Sequence, residues 1–313
     1  MVVEKHIKFR RLIPIIWKRI LKMTLLSALI VVPLVWFELD QFTIGMTTPL
    51  ILGTAISIFL GFRTNSAYDR WFQGRAIFGE LGSATRNMSL LLARVNERYV
   101  NHHTGKDSKV AAEIMPRMIR RSLAFLWILN RQLKDLTPLD FDTVEDLLSK
   151  EEITDLKTAK NPSLKIMYTQ SRDFRKVVAE GQLYEAEVFE YIAVQRDIAR
   201  LHAQANGLKN TPFPTHYTYF TDLFVWLLVI LLSLSLPANE NSGYYAIPLV
   251  VLIGWIFSMI EGIGDYMDYP WANNRNVVPM DFLSRQHEIG IRAYGLDESD
   301  LPPMISAKDG ALL

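Results

Sequence analysis

Apolar residues in this chain form two pairs of long uncharged runs, separated by residues 63–214, where they recur at helical spacing instead. The first run covers residues 24–37. It extends back over Ile20 and Leu21, with Lys22 snorkelling, to approach the roughly 20 residues a bilayer requires. The second covers 44–62, the third lies between Asp222 and Glu240, and the fourth covers 241–260. Only a few residues, 38–43 and 238–242, join the runs within each pair, which predicts two antiparallel helical hairpins. A secretory signal fits the first run poorly, because Glu38-Leu39-Asp40 follows it without a small-residue cleavage site.

Charge bias orients the hairpins. Neither short link contains Lys or Arg, whereas Lys5, Lys8, Arg10, Arg11, Lys18, Arg19 and Lys22 precede the first run and Arg63, Arg70 and Arg75 follow the second. The positive-inside rule then places both termini and residues 63–214 in the cytoplasm. Residues 13–21, IPIIWKRIL, are expected to form an interfacial helix with Trp17 as anchor.

Residues 63–214 are expected to be helical throughout, as they contain no alternating apolar/polar run. Residues 63–99 continue the second span, with Ile77, Leu81, Met88, Leu91, Leu92 and Val95 at helical spacing. A polar break at 101–108 precedes a helix over 110–133, and a short helix is expected at 143–150. A long amphipathic stretch, 164–208, is interrupted at Gly181 and ends at Asn206-Gly207. In the tail, 268–281 is expected to be an ordered loop, because Trp271 and its valines need burial, and 297–313 a loose arm.

These patterns divide the chain into an N-terminal interfacial segment (1–22), a first transmembrane hairpin (23–62), a cytoplasmic helical domain (63–214), a second hairpin (215–261) and a cytoplasmic C-terminal segment (262–313). Composition agrees: half the residues are hydrophobic, yet 21% are charged, as expected for apolar spans beside a water-facing part. A net charge of +1 argues against a nucleic-acid binder. The chain has no cysteine, which excludes disulfides, thiolate metal sites and a cysteine nucleophile. The six histidines have no metal-ligand spacing, and His102-His103 belong to the polar break. No nucleotide-binding, serine-hydrolase or zinc-protease motif is present, so neither enzyme activity nor a cofactor is expected. Glu151-Glu152 is expected to lie in a solvated linker.

Candidate chemistry concentrates on the second span. Small and polar residues (Thr47, Thr48, Gly53, Thr54, Ser57, Gly61) alternate there with large apolar ones, which fits close helix packing or a pore lining. A stripe at i, i+4, i+8 runs through Thr54, Ile58 and Phe62, and such rings around a symmetry axis gate by dewetting. Beyond it, Asp69, Arg70 and Trp71 lie at the interface, where a pairing of Asp69 with a neighbouring arginine and an anchor built from Tyr68, Trp71 and basic residues are the two readings. Residues 180–190 hold four Glu and no Lys or Arg. Glu180 and Glu187 are candidate vestibule charges favouring cations, and a solvated face paired with basic neighbours is the alternative. Glu261 and Asp265, flanking glycines, either bind a cation or mark a helix end.

The segment GFRTNSAYDRWFQGR (61–75), where an apolar helix leaves the membrane, resembles the bestrophin family, particularly its bacterial members. Gly61-Phe62 and Arg70-Trp71-Phe72 stand where animal members have Gly-Phe and Arg-Trp-Trp. The tail DYPWANNRNVVPMD resembles the family's Asp-Pro-Phe-Gly segment, with Tyr269-Pro270-Trp271 as a departure. The resemblance implies an all-α integral membrane protein that assembles with itself as a homopentamer around a central pore. Thr54, Ile58 and Phe62 would line its neck, and Thr54 replaces a usual large apolar residue. The resemblance further implies a multi-pass protein of the bacterial inner membrane, with lipid and small monovalent ions as partners. Chloride or other anions are the family's ions, and sodium or another cation is the alternative. Calcium gating is not expected, because residues 272–276 lack the acidic run of the animal members. The alternative to conduction is a membrane scaffold or receptor subunit.

Overall fold

The computed structural model describes residues 13–102, 109–136, 142–180, 183–238, 243–272, 278–296 and 298–307, and every regular element among them is helical. In chain order these are α1 (Ile13–Trp36), α2 (Thr47–His102), α3 (Lys109–Leu133), α4 (Lys150–Lys157), α5 (Pro162–Ala179), α6 (Glu185–Asn210), α7 (Thr215–Ser235), α8 (Ala246–Asp268) and α9 (Met280–Gly295), with short 3-10 turns between some of them. The expected polar break at 101–108 begins later, because α2 runs to His102, and its residues 103–108, the Gly181 interruption and residues 273–277 lie outside the described residues, as do the basic residues before Ile13.

Two compact units emerge. One contains the described residues up to Trp71 together with Pro212–Tyr269, and the other contains Phe72–Thr211 and the chain from Pro270 on. Four helices among the described residues are long and apolar enough to cross a membrane, within Trp17–Trp36, Asp40–Arg98, His216–Ser235 and Gly243–Asp268.

In the first unit, Met23 and Val31 of α1, Ile56 and Leu60 of α2, Val225, Leu228, Val229 and Leu232 of α7, and Ala246 and Val250 of α8 form one buried apolar cluster. The short links join chain neighbours, but α1 packs against α7 and α8, so the packed bundle is not simply two hairpins side by side. In lipid, helices associate by close van der Waals fit rather than by hydrophobic exclusion. Gly254 shows this, since a Cβ there would come within 2.7 Å of the Val229 side chain. Ser233 adds a polar contact, donating to the Val229 carbonyl at 2.7 Å and meeting Ser27 Oγ at 3.2 Å. The expected interfacial helix over 13–21 is not a separate element; it is the first part of α1, because no residue there breaks the helical register. The fourth span likewise continues beyond its expected end to Asp268.

α2 is one helix of 56 residues, about 84 Å at 1.5 Å per residue, and proceeds from the first unit into the second as its apolar pattern predicts. The second unit is built around α3, which is buried along much of its length through Met115, Met118, Ile119, Leu123, Phe125, Leu126, Trp127, Ile128 and Leu129. Its polar side chains stay inside because each finds a partner. Trp127 Nε1 donates to Glu288 at 3.1 Å, Asn130 Nδ2 donates to Asp281 at 2.8 Å, and Lys134 pairs with Asp281 at 2.8 Å. Arg121 pairs with Asp173 at 2.5 Å and also with Glu152. Burial alone would raise the Asp173 carboxyl, but hydrogen bonds from Lys176 and Arg121 hold it below the ordinary carboxylate range.

Two expectations change here. Glu151-Glu152 is not a solvated linker. Both residues lie in the first turn of α4, where Ser149 and Glu152 form a reciprocal capping box, and the expected helix over 143–150 is displaced to Lys150–Lys157. The tail also contains a helix that was not expected, α9, which packs on α3. Its cues were Asp281 in the first turn, Arg292 in the last and Gly295 at the end, a pattern masked by its low overall hydrophobicity. In the expected ordered loop over 268–281, Trp271 and Val278 are buried, residues 273–277 lie outside the described residues, and α8 and α9 take its two ends.

Gly82 of α2 allows the His287 ring of α9 to lie directly on its backbone. Gly82→Ala should cost about 1–3 kcal/mol by overpacking, and His287→Ala in the same chain should recover most of it, as measured by thermal unfolding in detergent. Burial also lowers the pKa of His202, whose Nε2 lies 2.8 Å from Ser163 Oγ. A lowered folded pKa gives a contribution complete above the unfolded value of about 6.5 and lost as pH falls through the folded value. Unfolding temperature should therefore drop between pH 7.5 and 5.5, and His202→Gln should reduce that drop.

Candidate functional site

Within the first unit, α2 has two contrasting faces. Ile56, Leu60, Arg63 and Ala67 are buried, at the spacing of one helical face. On the opposite side Thr54, Ile58 and Phe62 are exposed, Ile58 by 56% and Phe62 by 69%. The protomer therefore presents the predicted stripe outward as one continuous line. Thr54 is less polar than its formula implies, because its Oγ1 donates back to the Leu50 carbonyl at 2.9 Å. Ser57 does the same to Gly53 at 2.8 Å.

The rotation of α2 that exposes this stripe is held by ion pairs. Arg63 is 2% exposed and pairs with Asp265, and its second nitrogen lies 3.8 Å from Glu261, itself 3% exposed. Arg19 of α1 bridges Glu261, at 2.7 Å, and Asp222 of α7. Two turns beyond Arg63, Arg70 pairs with Asp268 at 3.0 Å and donates to its carbonyl at 3.1 Å. All four helices of the bundle are thus tied at one end. Sequence spacing could not show this, because the partners lie about 200 positions apart along the chain. Of the two readings of Glu261 and Asp265, the cation site loses its ligands to arginines, and neither residue marks a helix end, since α8 continues to Asp268. Among the described residues no group of three or more His, Asp or Glu side chains is arranged to hold a metal ion.

The remaining predicted residues are scattered over this frame. Gly61 is exposed, and a side chain there would meet nothing within 4 Å. Asp69 is exposed too, and among the described residues it makes no arginine pair, while Arg63 and Arg70 both turn to α8. Trp71 stacks on Tyr68, ring centroids 6.3 Å apart.

In the second unit, Glu180 is exposed just after α5. Glu187 does not stand free. It pairs with Arg98 at 2.6 Å and accepts the Tyr184 N–H at 3.0 Å, capping α6. Glu190 pairs with Arg94 at 3.1 Å, so both partners come from α2 rather than from the neighbouring basic residues expected. Pro270 and Trp271 lie against Gly74, where a Cβ would come within 2.8 Å of the Pro270 ring. Together with Arg70–Asp268, this shows that the two segments resembling bestrophins contact each other.

Comparison with known proteins agrees. The family model described as "Bacterial/Fungal Bestrophin protein" matches residues 7–293. The chain belongs to the bestrophin family. Among curated relatives, the "voltage-dependent anion channel-forming protein YneE" of Escherichia coli K12 is 25% identical over 92% of this chain and 88% of its own length. A Nostoc protein, also called a voltage-dependent anion channel-forming protein, is 24% identical over 94% of this chain and 90% of its own length. The crystal structure of a bestrophin homologue from Klebsiella pneumoniae superposes with a TM-score of 0.78 at 22% identity, covering 92% of this chain and all of that one. The fold of this bestrophin is therefore a known one.

The buried pair gives a direct test. Arg63→Ala takes the counter-charge from Asp265 and the more distant of two arginines from Glu261, which keeps Arg19, and should destabilise the protein by about 1–3 kcal/mol. Arg63→Met with Glu261→Gln removes both charges and should restore much of the stability, as followed by thermal unfolding in detergent.

Proposed function

We propose that this bestrophin is an ion channel that passes small monovalent ions through a central pore between identical copies, with Thr54, Ile58 and Phe62 forming an apolar neck. The observation that carries this reading is the exposed stripe on α2. Its apolar side chains are turned away from the protomer's own core, on a helix whose opposite face is fully packed. In a closed ring of copies each position becomes a ring of side chains, and narrow apolar rings block ions by dewetting until they widen. Family membership supports a homopentamer. The names of the curated relatives support anions as the permeant species, with sodium or another monovalent cation as the alternative.

In this reading the protein lies in the bacterial inner membrane. Both termini and the helical unit face the cytoplasm, in keeping with the basic residues that flank the spans. Calcium does not gate it, since residues 272–276 contain no carboxylate. Glu180, exposed, is a candidate vestibule charge, whereas Glu187 is compensated by Arg98. The exposed apolar surfaces of α1, α7 and α8 face lipid or other copies.

A scaffold or receptor subunit without conduction is the rival, and purified protein in liposomes separates the two. The channel reading expects ion flux from the wild type and at least a severalfold increase from Phe62→Ala, whose smaller side chain widens and wets the neck. Absence of flux in both forms would leave the scaffold.

A further inference from the structure

The neck carries no charge, so on its own it discriminates little between ions of opposite sign. The residues that follow it are not neutral. Between Gly61 and Trp71 the chain has three charged side chains, Arg63, Asp69 and Arg70. Both arginines are withdrawn: Arg63 is buried against Asp265 and Glu261, and Arg70 is held by Asp268. Asp69 is exposed, and among the described residues no ion pair compensates it. The local balance on the outward side of α2 is therefore negative, although the segment contains more basic than acidic residues.

Asp69 follows Phe62 by seven residues, two turns of helix, and falls on the same face as Thr54, Ile58 and Phe62. It lies about 10.5 Å beyond Phe62 along the axis, with exposed Asn65 between them. Whatever the stripe lines, Asp69 lines next.

We propose that Asp69 is a determinant of ion selectivity, forming a ring of carboxylates at the inner mouth of the neck that concentrates monovalent cations and repels anions. The inference rests on the pore reading above and, within it, takes the cation alternative over the anions that the relatives' names support. Within that reading it assigns the charge effect to one residue that the relatives' names do not point to. Negative charges lining a narrow, low-dielectric opening raise the local cation concentration about tenfold or more.

The chain has no cysteine, which makes the test clean, because Asp69→Cys introduces a single thiol. Reversal potentials across a sodium chloride gradient give the cation-to-anion permeability ratio of the reconstituted protein. Asp69→Asn should lower that ratio about tenfold relative to wild type, and Asp69→Glu should keep it. Labelling Asp69→Cys with a negatively charged methanethiosulfonate should restore the wild-type ratio, and a positively charged reagent should push it further towards anions. An unchanged ratio in Asp69→Asn, or equal effects of the two reagents, overturns the assignment and leaves the channel reading intact. Loss of the oligomer in Asp69→Asn, seen by size-exclusion chromatography, also overturns it, because the carboxylate would then be pairing between copies. No current from the wild type overturns the channel reading and this inference together.

Discussion

A guanidinium cannot stay inside an apolar helix bundle without a carboxylate beside it, and Arg63 is almost completely buried. Its partners, Asp265 and Glu261, both come from α8, and Glu261 also takes Arg19 from α1. Desolvating this set is costly, so the pairing adds less net stability than it adds specificity. Its main effect is to remove one degree of freedom. With Arg63 committed to α8, α2 cannot rotate about its own axis without leaving charges unpaired. The face carrying Thr54, Ile58 and Phe62 is then turned away from the protomer's core, where only other copies, lipid or water can meet it. Exposure of the proposed neck is a consequence of that buried charge set.

The same logic accounts for the charge pattern after the neck. The positive-inside signal counts Arg63 and Arg70 as basic residues at a membrane edge. In the folded protein both are paired with α8, so in the proposed topology and pore the basic residues counted for orientation are not the field that an ion would meet. Asp69, an unremarkable member of the same segment when read along the chain, is exposed and has no ion pair among the described residues. The reverse holds at Glu187, which looks like a free acid beside three others and is in fact matched by Arg98.

The second unit obeys a related constraint. α3 is enclosed by α5, α6 and α9, yet it carries Arg121, Trp127, Asn130 and Lys134. Each has a partner, and the partners come from elements that α3 must touch: Asp173 from α5, Glu152 from α4, Asp281 and Glu288 from α9. Buried polar groups of this kind specify which helix packs where, a job that interchangeable apolar contacts do poorly. Glycines finish the fit at close approaches, with Gly82 against His287 and Gly74 against Pro270.

Much of this protein was legible in its amino-acid order. Four apolar spans, the helical middle, the unbroken passage of α2 out of its span and the stripe on α2 all follow from hydrophobic periodicity, which is a local property of the chain. The segment 61–75 also identified the family. What remained hidden was set by contacts between distant residues. α9 has too few apolar residues to stand out until α3 is placed against it. The α4 capping box at Ser149 and Glu152 lies among polar residues that resemble a loop. Only the tertiary structure decided which charges are neutral pairs and which stand alone. Pairing across about 200 residues leaves no period in the sequence, whereas burial makes it compulsory.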